Sequence, residues 1–210
     1  MLNPMNLNIP EDQRKRQALS SLAGYAHQIL AALDGWMRVR GDGVLLIEIA
    51  EDYAVLARDA VEMTQVKRVD PTSEISLGRK DARDAIISLW QFAKANPTVD
   101  VRLQFLTTAQ IGNERDGNFH NGAKGIDLWH RAAVGSDVEE LRTFLLKQDW
   151  PGDLAEFLRS ASPDDLRARL FSRLRWTAGA EQSSELIASF EARLKARAVA
   201  RNLAPSDGAE

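Results

Sequence analysis

The sequence predicts a mixed α/β core followed by a helical region. Three observations lead to this fold class: an amphipathic helical stripe comes first, three closely spaced apolar segments with strand-like alternation follow, and a helix then precedes one more such segment. In the order helix, three strands, helix, strand, the second helix is a crossover between strands of one sheet. From about residue 126 onward, only helical patterns are expected.

The boundaries of these elements follow from breakers and caps. Helical periodicity over 18–39 ends at Gly41-Asp42-Gly43, and a second helix over 81–95 ends at Asn96-Pro97. The predicted strands are 44–50, 53–57, 61–69 and 99–108, and the predicted late helices are 126–134, 137–148, 151–160, 163–174 and 183–202. We expect a flexible arm at 1–17, a core at 18–112, a helical extension of the same domain at 113–203 and a disordered tail at 204–210, with 111–125 forming a long Gly- and Asn-rich loop.

Composition narrows the class of protein. The chain has 210 residues, 44% of them hydrophobic, no cysteine and a formal net charge of −3. These values predict a sizeable core and a cytoplasmic protein without disulfides or a thiolate zinc site. No segment approaches the roughly 20 apolar residues of a membrane span, so no membrane partner is expected. A net negative chain can contact nucleic acid only through local basic patches, with metal offsetting the phosphate charge.

The segment from Leu46 to Arg68 carries the most chemical information. It predicts a hairpin that turns near Arg58-Asp59-Ala60 and brings Asp52 opposite the Val66 region. Because side chains alternate along a strand, Gln65 and Lys67 project together while Val66 points into the core. A carboxylate, an amide oxygen and an ammonium at one sheet edge can bind a divalent metal and a phosphate. This combination indicates a metal-dependent nuclease.

Each of these residues has a simpler interpretation on its own. Asp52 could be an ordinary aspartate at the end of a strand, Gln65 a solvent-facing strand residue, and Lys67 an edge-strand lysine that discourages aggregation. Glu48 lies in an apolar run where a charge is costly unless it is paired or binds metal, so it is a candidate second carboxylate. Glu51 is expected to be a solvated neighbour of Asp52.

Two further groups could take part. Tyr25 and Gln28 share a face of the first helix, and Gln28 could orient a site ligand. Arg169 and Arg173, one turn apart in a late helix, could contact a DNA backbone, although a solvated helix face is the simpler interpretation. The three histidines lack a recognisable metal-ligand spacing.

Taken together, the motifs resemble those of a known nuclease family. The order of elements is that of the restriction-endonuclease-like PD-(D/E)xK nucleases. Within that superfamily, 24–28 (Gly-Tyr-Ala-His-Gln), 48–52 (Glu-Ile-Ala-Glu-Asp), 65–67 (Gln-Val-Lys), 106–108 (Leu-Thr-Thr) and 111–114 (Ile-Gly-Asn-Glu) resemble the double-stranded DNA endonuclease domain of anti-phage effectors. Mrr-like restriction nucleases share the Gln-x-Lys variant.

The resemblance implies a magnesium-dependent endonuclease, with Mn²⁺ able to substitute, that cuts double-stranded DNA with little sequence preference. It assigns metal binding to Asp52 and the second ligand position to Gln65, makes Lys67 the catalytic lysine, and places Glu48 and Gln28 near the site. In that family the nuclease is fused to a cyclic-oligonucleotide sensor, and related nucleases occur on STAND NTPases. We therefore expect a sensor or NTPase module in a longer protein or a partner chain, and oligomer formation on activation.

Two alternatives stay open at this point. The chain could be a catalytically weak nuclease-fold module used for nucleic-acid binding or assembly. It could also be an RNA-directed nuclease, because the hairpin chemistry permits either nucleic acid.

Overall fold

A computed structural model describes residues 11–39, 41–48, 51–115 and 119–200. Within these ranges the helices are α1 (Glu11–Arg38), α2 (Lys80–Ala95), α3 (Gly125–Ala133), α4 (Glu139–Leu145), α5 (Gly152–Ser160), α6 (Pro163–Leu166) and α7 (Ser183–Ala200). A 3₁₀ turn forms at His120–Gly122, and α6 continues into a π-helical turn at Arg167–Phe171. None of the helices in the described ranges is both long and apolar enough to cross a membrane.

The strands form a five-stranded mixed sheet and a small second sheet. They are β1 (Val44–Ile47), β2 (Tyr53–Ala57), β3 (Ala60–Lys67), β4 (Glu74–Ile75), β5 (Asp100–Thr107), β6 (Gln110–Ile111) and β7 (Leu174–Thr177). The large sheet has the order β1-β2-β3-β5-β7, in which β1, β2 and β3 are antiparallel neighbours and β3, β5 and β7 are parallel. Strands β4 and β6 pair in parallel beside it. The mixed α/β class and the crossover through α2 are confirmed.

Helices cover both faces of the large sheet. Helix α2 buries Ala82, Ala85, Ile86 and Leu89, an i, i+3, i+4, i+7 stripe that packs into the main core. On the opposite face, Ala31 and Ala32 of α1 pack with Tyr53 and Val66 in a smaller cluster. The hairpin β2–β3 therefore has one face under α1 and the other under α2.

The first helix starts earlier than predicted. Helix α1 begins at Glu11 rather than near residue 18. Residues 11–17 lack apolar periodicity, but Glu, Gln, Arg and Lys are good helix formers, so the helix extends beyond its apolar stripe. The remainder of the predicted arm and the predicted tail, 1–10 and 204–210, lie outside the described residues.

The expectation that everything after residue 126 is helical is wrong. The helix predicted over 163–174 ends at Phe171, and Leu174–Thr177 forms β7, which pairs with β5. Leu174 and Trp176 are buried while Arg175 is exposed, which is strand alternation. Four residues directly after a helical pattern are too few to reveal this period in the sequence. The segment 113–200 thus contributes an edge strand to the sheet as well as helices.

Candidate functional site

Asp52 lies at the junction of α1 and the β2–β3 hairpin. It directly precedes β2, whose first residue, Tyr53, pairs with Thr64 of β3. The Val66 backbone N–H donates to Asp52 Oδ2 at 2.5 Å, and Gln28 Nε2 donates to Asp52 Oδ1 at 2.6 Å. The predicted placement of Asp52 against the Val66 region is confirmed, and Gln28 orients this carboxylate.

The environment of Asp52 disfavours its charged form. Burial raises the pKa of this carboxyl group, and the negative charges of Glu51 and Glu48 raise it further. The Val66 N–H and the Lys67 ammonium act in the opposite direction, but the net shift is upward. A carboxylate with a raised pKa gains from a nearby cation, because the cation stabilises its ionised form.

Gln65 offers an amide oxygen without a hydrogen-bond partner. Val66 is buried with Tyr53 on the α1 side of the sheet, so the alternation of side chains directs Gln65 and Lys67 to the other face. The Gln65 Oε1 atom is buried and accepts no hydrogen bond from the described residues. An unsatisfied buried oxygen costs free energy, and a cation or a water molecule at this position would satisfy it.

Lys67 ends β3 and pairs with the first turn of α2. Its Nζ atom lies 3.0 Å from Asp81 Oδ1, and the two side chains are 46% and 41% exposed. Strand β3 lies between β2 and β5. Lys67 is therefore not an edge-strand lysine, and its half-exposed ammonium is accessible to a phosphate from solvent.

Glu48 and Glu51, the two glutamates near Asp52, do not have the surroundings that the sequence predicted for them. Strand β1 ends at Ile47, and Glu48 is exposed with a φ of 60°, so the expected buried charge within a strand is wrong. Glu51 is half-buried with a φ of 61°, and its carboxylate accepts a hydrogen bond from the Ser88 hydroxyl of α2. It is thus not a solvated neighbour. Left-handed backbone at two non-glycine residues is strained, and such strain concentrates at functional sites.

Tyr25 lies one turn before Gln28 but is not brought to Asp52. Its side chain is 50% exposed on α1. The hydrogen bonds to the Asp52 side chain come from Gln28 and Val66 instead.

Arg169 and Arg173 lie in the segment before β7, the strand that forms the edge of the sheet opposite β1. Arg173 directly precedes β7 and approaches Asp100, the first residue of β5, at 3.8 Å. Lys67 is the last residue of the parallel strand β3, whose eight residues span roughly 25 Å. Arg169 stacks on the rings of Trp90 and Phe157, at 5.6 and 4.6 Å from their centroids. The structure does not bring these arginines together with Asp52.

Glu114 is a buried carboxylate that residue-by-residue reasoning did not single out. Its two oxygens accept hydrogen bonds from Leu77 N and Gly78 N, each at 2.8 Å. These amides belong to the loop that leads into α2, so Glu114 fixes the start of the helix that carries Asp81. The signal in the sequence was the single acid in 111–114, which only the family resemblance marked.

The donor set suits a cation that keeps part of its water shell. Within the described ranges, no group of three or more His, Cys, Asp or Glu side chains is placed to hold a metal ion. Asp52 supplies a carboxylate and Gln65 an unpaired amide oxygen. Because Mg²⁺ commonly binds through one or two carboxylates plus water and substrate phosphate, these residues fit it.

Comparisons of the chain with protein-family models, with curated proteins and with solved structures found no match.

Proposed function

We propose that this protein is a metal-dependent endonuclease that cleaves double-stranded DNA with low sequence specificity. The observation that carries the proposal is the position of the Asp52 carboxylate. It accepts the N–H of Val66, the residue between Gln65 and Lys67, so that the acid lies beside the triplet that carries an unpaired amide oxygen and an ammonium. These are the groups that metal-assisted phosphodiester hydrolysis needs.

The topology supports a restriction-endonuclease-like core. An N-terminal helix, a three-stranded antiparallel meander, a crossover helix and a parallel strand follow one another in this order. The resembled family carries its acid in the hairpin and its Gln-x-Lys triplet on the third strand. Here Asp52 directly precedes β2, and 65–67 end β3.

Asp52 and Gln65 are the residues that would hold Mg²⁺, or Mn²⁺ in its place. Such an ion would neutralise phosphate charge and lower the pKa of an attacking water molecule. Each oxygen of Asp52 accepts one hydrogen bond, from Gln28 or from Val66, and a carboxylate oxygen has a second lone pair left for a cation. Glu48 and Glu51 add negative charge beside the site.

Lys67 supplies the positive charge for the transition state. Its half-exposed ammonium can approach a phosphate at the C-terminal end of β3, where it stabilises the charge that develops on phosphate oxygens. Asp81 orients the ammonium until a phosphate binds. Gln28 and the Val66 N–H fix the direction of the Asp52 carboxylate, as hydrogen-bond partners of metal ligands commonly do.

The specific substrate and the biological setting come from the resemblance alone. It favours duplex DNA, a role in anti-phage defence, and a sensor or NTPase module that brings several copies together. A second candidate is a catalytically weak nuclease-fold module for nucleic-acid binding or assembly.

Cleavage assays with three substrates in parallel test the proposal. The protein is incubated at high concentration with supercoiled plasmid, circular single-stranded DNA and structured RNA, each with Mg²⁺ and with a chelator. We expect cleavage of the plasmid alone, abolished by the chelator. Cleavage confined to RNA would replace the proposal with an RNA-directed nuclease. No cleavage, together with no stabilisation by Mg²⁺ in a thermal melt, would favour the binding module.

A further inference from the structure

Helix α1 carries an apolar stripe that no described part of the chain covers. Leu22, Tyr25, Leu33 and Trp36 are between 44% and 64% exposed, and Ile29 between them is half-buried. With 100° of rotation per residue, these five side chains fall within an arc of about 80°. They therefore form one continuous ridge, which we call the outer stripe.

The outer stripe faces away from the described parts of the sheet and of α7. The opposite side of α1 carries His27, Ala31 and Asp34, all of them buried. His27 contacts Ser183 of α7, and Asp34 pairs with Arg193 of the same helix. Among the described residues, α1 therefore packs on the sheet and on α7 through its inner side and leaves the outer stripe uncovered.

The outward surface of this part of α1 is also free of charge. Between residues 17 and 37, the only Asp, Glu, Lys or Arg is Asp34, which faces inward. The cores of protein interfaces are depleted of charged residues, and aromatic residues are enriched there. A surface helix in contact with water alone normally carries charge on this side.

The spacing of the outer stripe is symmetric about its central residue. The intervals between Leu22, Tyr25, Ile29, Leu33 and Trp36 are three, four, four and three residues. An antiparallel copy of the same helix, related by a two-fold axis at Ile29, would set Leu22 against Trp36, Tyr25 against Leu33, and Ile29 against itself. An uncharged surface can pair with itself in this way without like-charge repulsion.

We infer that the outer stripe of α1 is the interface with a second copy of this chain in an antiparallel two-fold dimer. The inference rests on α1 alone and goes beyond the proposed chemistry. One helix face supplies several hundred Å², less than the roughly 800 Å² per partner of a standard stable interface. The dimer is therefore expected to dissociate in the micromolar range or above.

Sedimentation equilibrium over a range of concentrations tests the dimer. Trp36→Glu places a charge in the outer stripe opposite the apolar Leu22 of the other copy, and we expect it to weaken the dimer by at least roughly tenfold, because tryptophans are enriched among the residues that dominate interface energies. The matched control is Leu194→Glu on α7, a residue 59% exposed, which should leave association unchanged. Circular dichroism melts of both variants establish that they remain folded.

Single-cysteine crosslinking tests the geometry, since the natural chain contains no cysteine. A short bismaleimide should link Ile29→Cys to itself and should link Leu22→Cys to Trp36→Cys in a mixture. It should not link Leu22→Cys to itself, because the two copies of that residue would lie about 21 Å apart along the antiparallel pair.

Three results would overturn the inference. The first is a monomer at all concentrations up to about 1 mM, where even a millimolar Kd would be visible. The second is a dimer that Trp36→Glu leaves intact, which would place the interface elsewhere. The third is a monomer that binds lipid vesicles through the outer stripe, which would make α1 a membrane-surface helix instead.

Discussion

At the residue scale, the site depends on how Asp52 is held. Its carboxylate is half-buried, lies near two further glutamates, and is oriented by the Gln28 amide and the Val66 N–H. Among the described residues, Lys67 is the one cation that lowers the pKa of Asp52, and its effect is smaller than that of burial, which raises the pKa. A partly buried carboxylate with negative neighbours and a raised pKa is expected where the carboxylate binds a cation.

The raised pKa of Asp52 predicts how stability depends on pH. The folded protein binds the Asp52 proton more tightly than the unfolded chain, whose carboxyl has a pKa near 3.8. This group therefore adds stability as the pH falls from neutral through its raised pKa, and the contribution is lost as the pH rises. Urea denaturation between pH 7 and pH 4 in chelator should show the wild type gaining stability relative to Asp52→Asn. A difference that stays constant across this range would contradict the assigned environment.

Bound Mg²⁺ should stabilise the ionised form of the Asp52 carboxylate, which partial burial disfavours. We expect the melting temperature of the wild type to rise with added Mg²⁺, because a ligand of the folded state stabilises it. Asp52→Asn should show no such rise. An equal rise in both proteins would place cation binding elsewhere.

Gln28 should act on metal binding through Asp52. Gln28→Ala removes the hydrogen bond to Oδ1, and losing such a partner of a metal ligand typically weakens metal binding by about 10- to 100-fold. Titration calorimetry with Mn²⁺ measures this change. The control is Gln91→Ala, an exposed glutamine of α2 that should bind Mn²⁺ like the wild type.

At the element scale, the start of α2 is anchored by a buried acid. Glu114 accepts two backbone N–H groups of the loop before the helix, and the Asp81 carboxylate of the first turn pairs with Lys67. The position of the proposed catalytic ammonium thus depends on a residue from beyond β6.

Glu114→Gln should be destabilising by about 2 kcal/mol. The amide has only one oxygen, so one N–H loses its acceptor and the other loses a charged one. Chemical denaturation at pH 7 measures the loss. Glu181→Gln, at an exposed position, is the control and should lie within about 0.5 kcal/mol of the wild type. Equal stability of the two variants would show that Glu114 does not anchor the loop.

The elements differ in how far the sequence could predict them. The hairpin was predictable because two largely apolar segments flank a short polar turn, and the alternation of side chains along β3 also placed Gln65 and Lys67 together. Strand β7 was missed because its four residues follow a helical pattern without a break.

The prediction that Glu48 lies within a strand failed for a different physical reason. The apolar run continues past the end of β1, whereas the backbone turns to positive φ at Glu48. Hydrophobicity cannot report such a turn in the absence of glycine. The hydrogen bond from Gln28 to Asp52 depends on how α1 packs on the sheet, which no local pattern specifies.

At the scale of the whole molecule, β7 joins the C-terminal part to the sheet. Trp176 of β7 packs against Phe105 of β5 and Trp129 of α3, with ring centroids 5.3 and 5.7 Å away. One core therefore spans residues from both sides of the long loop.

Trp176→Ala should destabilise the entire molecule by about 3–5 kcal/mol, because it leaves a large cavity in this core. Far-UV circular dichroism and tryptophan fluorescence in urea should report one coincident transition in both proteins, shifted to lower urea in the variant. Leu194→Ala, at an exposed position, is the control. Two separate transitions would mean that the C-terminal part unfolds as a unit of its own.

The measurement that tests the central claim most directly is Mg²⁺-dependent cleavage of plasmid by wild type and Lys67→Ala at equal, high protein concentration. We predict slow cleavage by the wild type and a loss of roughly 10²- to 10³-fold in the variant, because the group that stabilises transition-state charge is gone. Lys195→Ala removes an exposed lysine of α7 and should cleave like the wild type. Equal cleavage by wild type and Lys67→Ala would contradict a nuclease site at this hairpin.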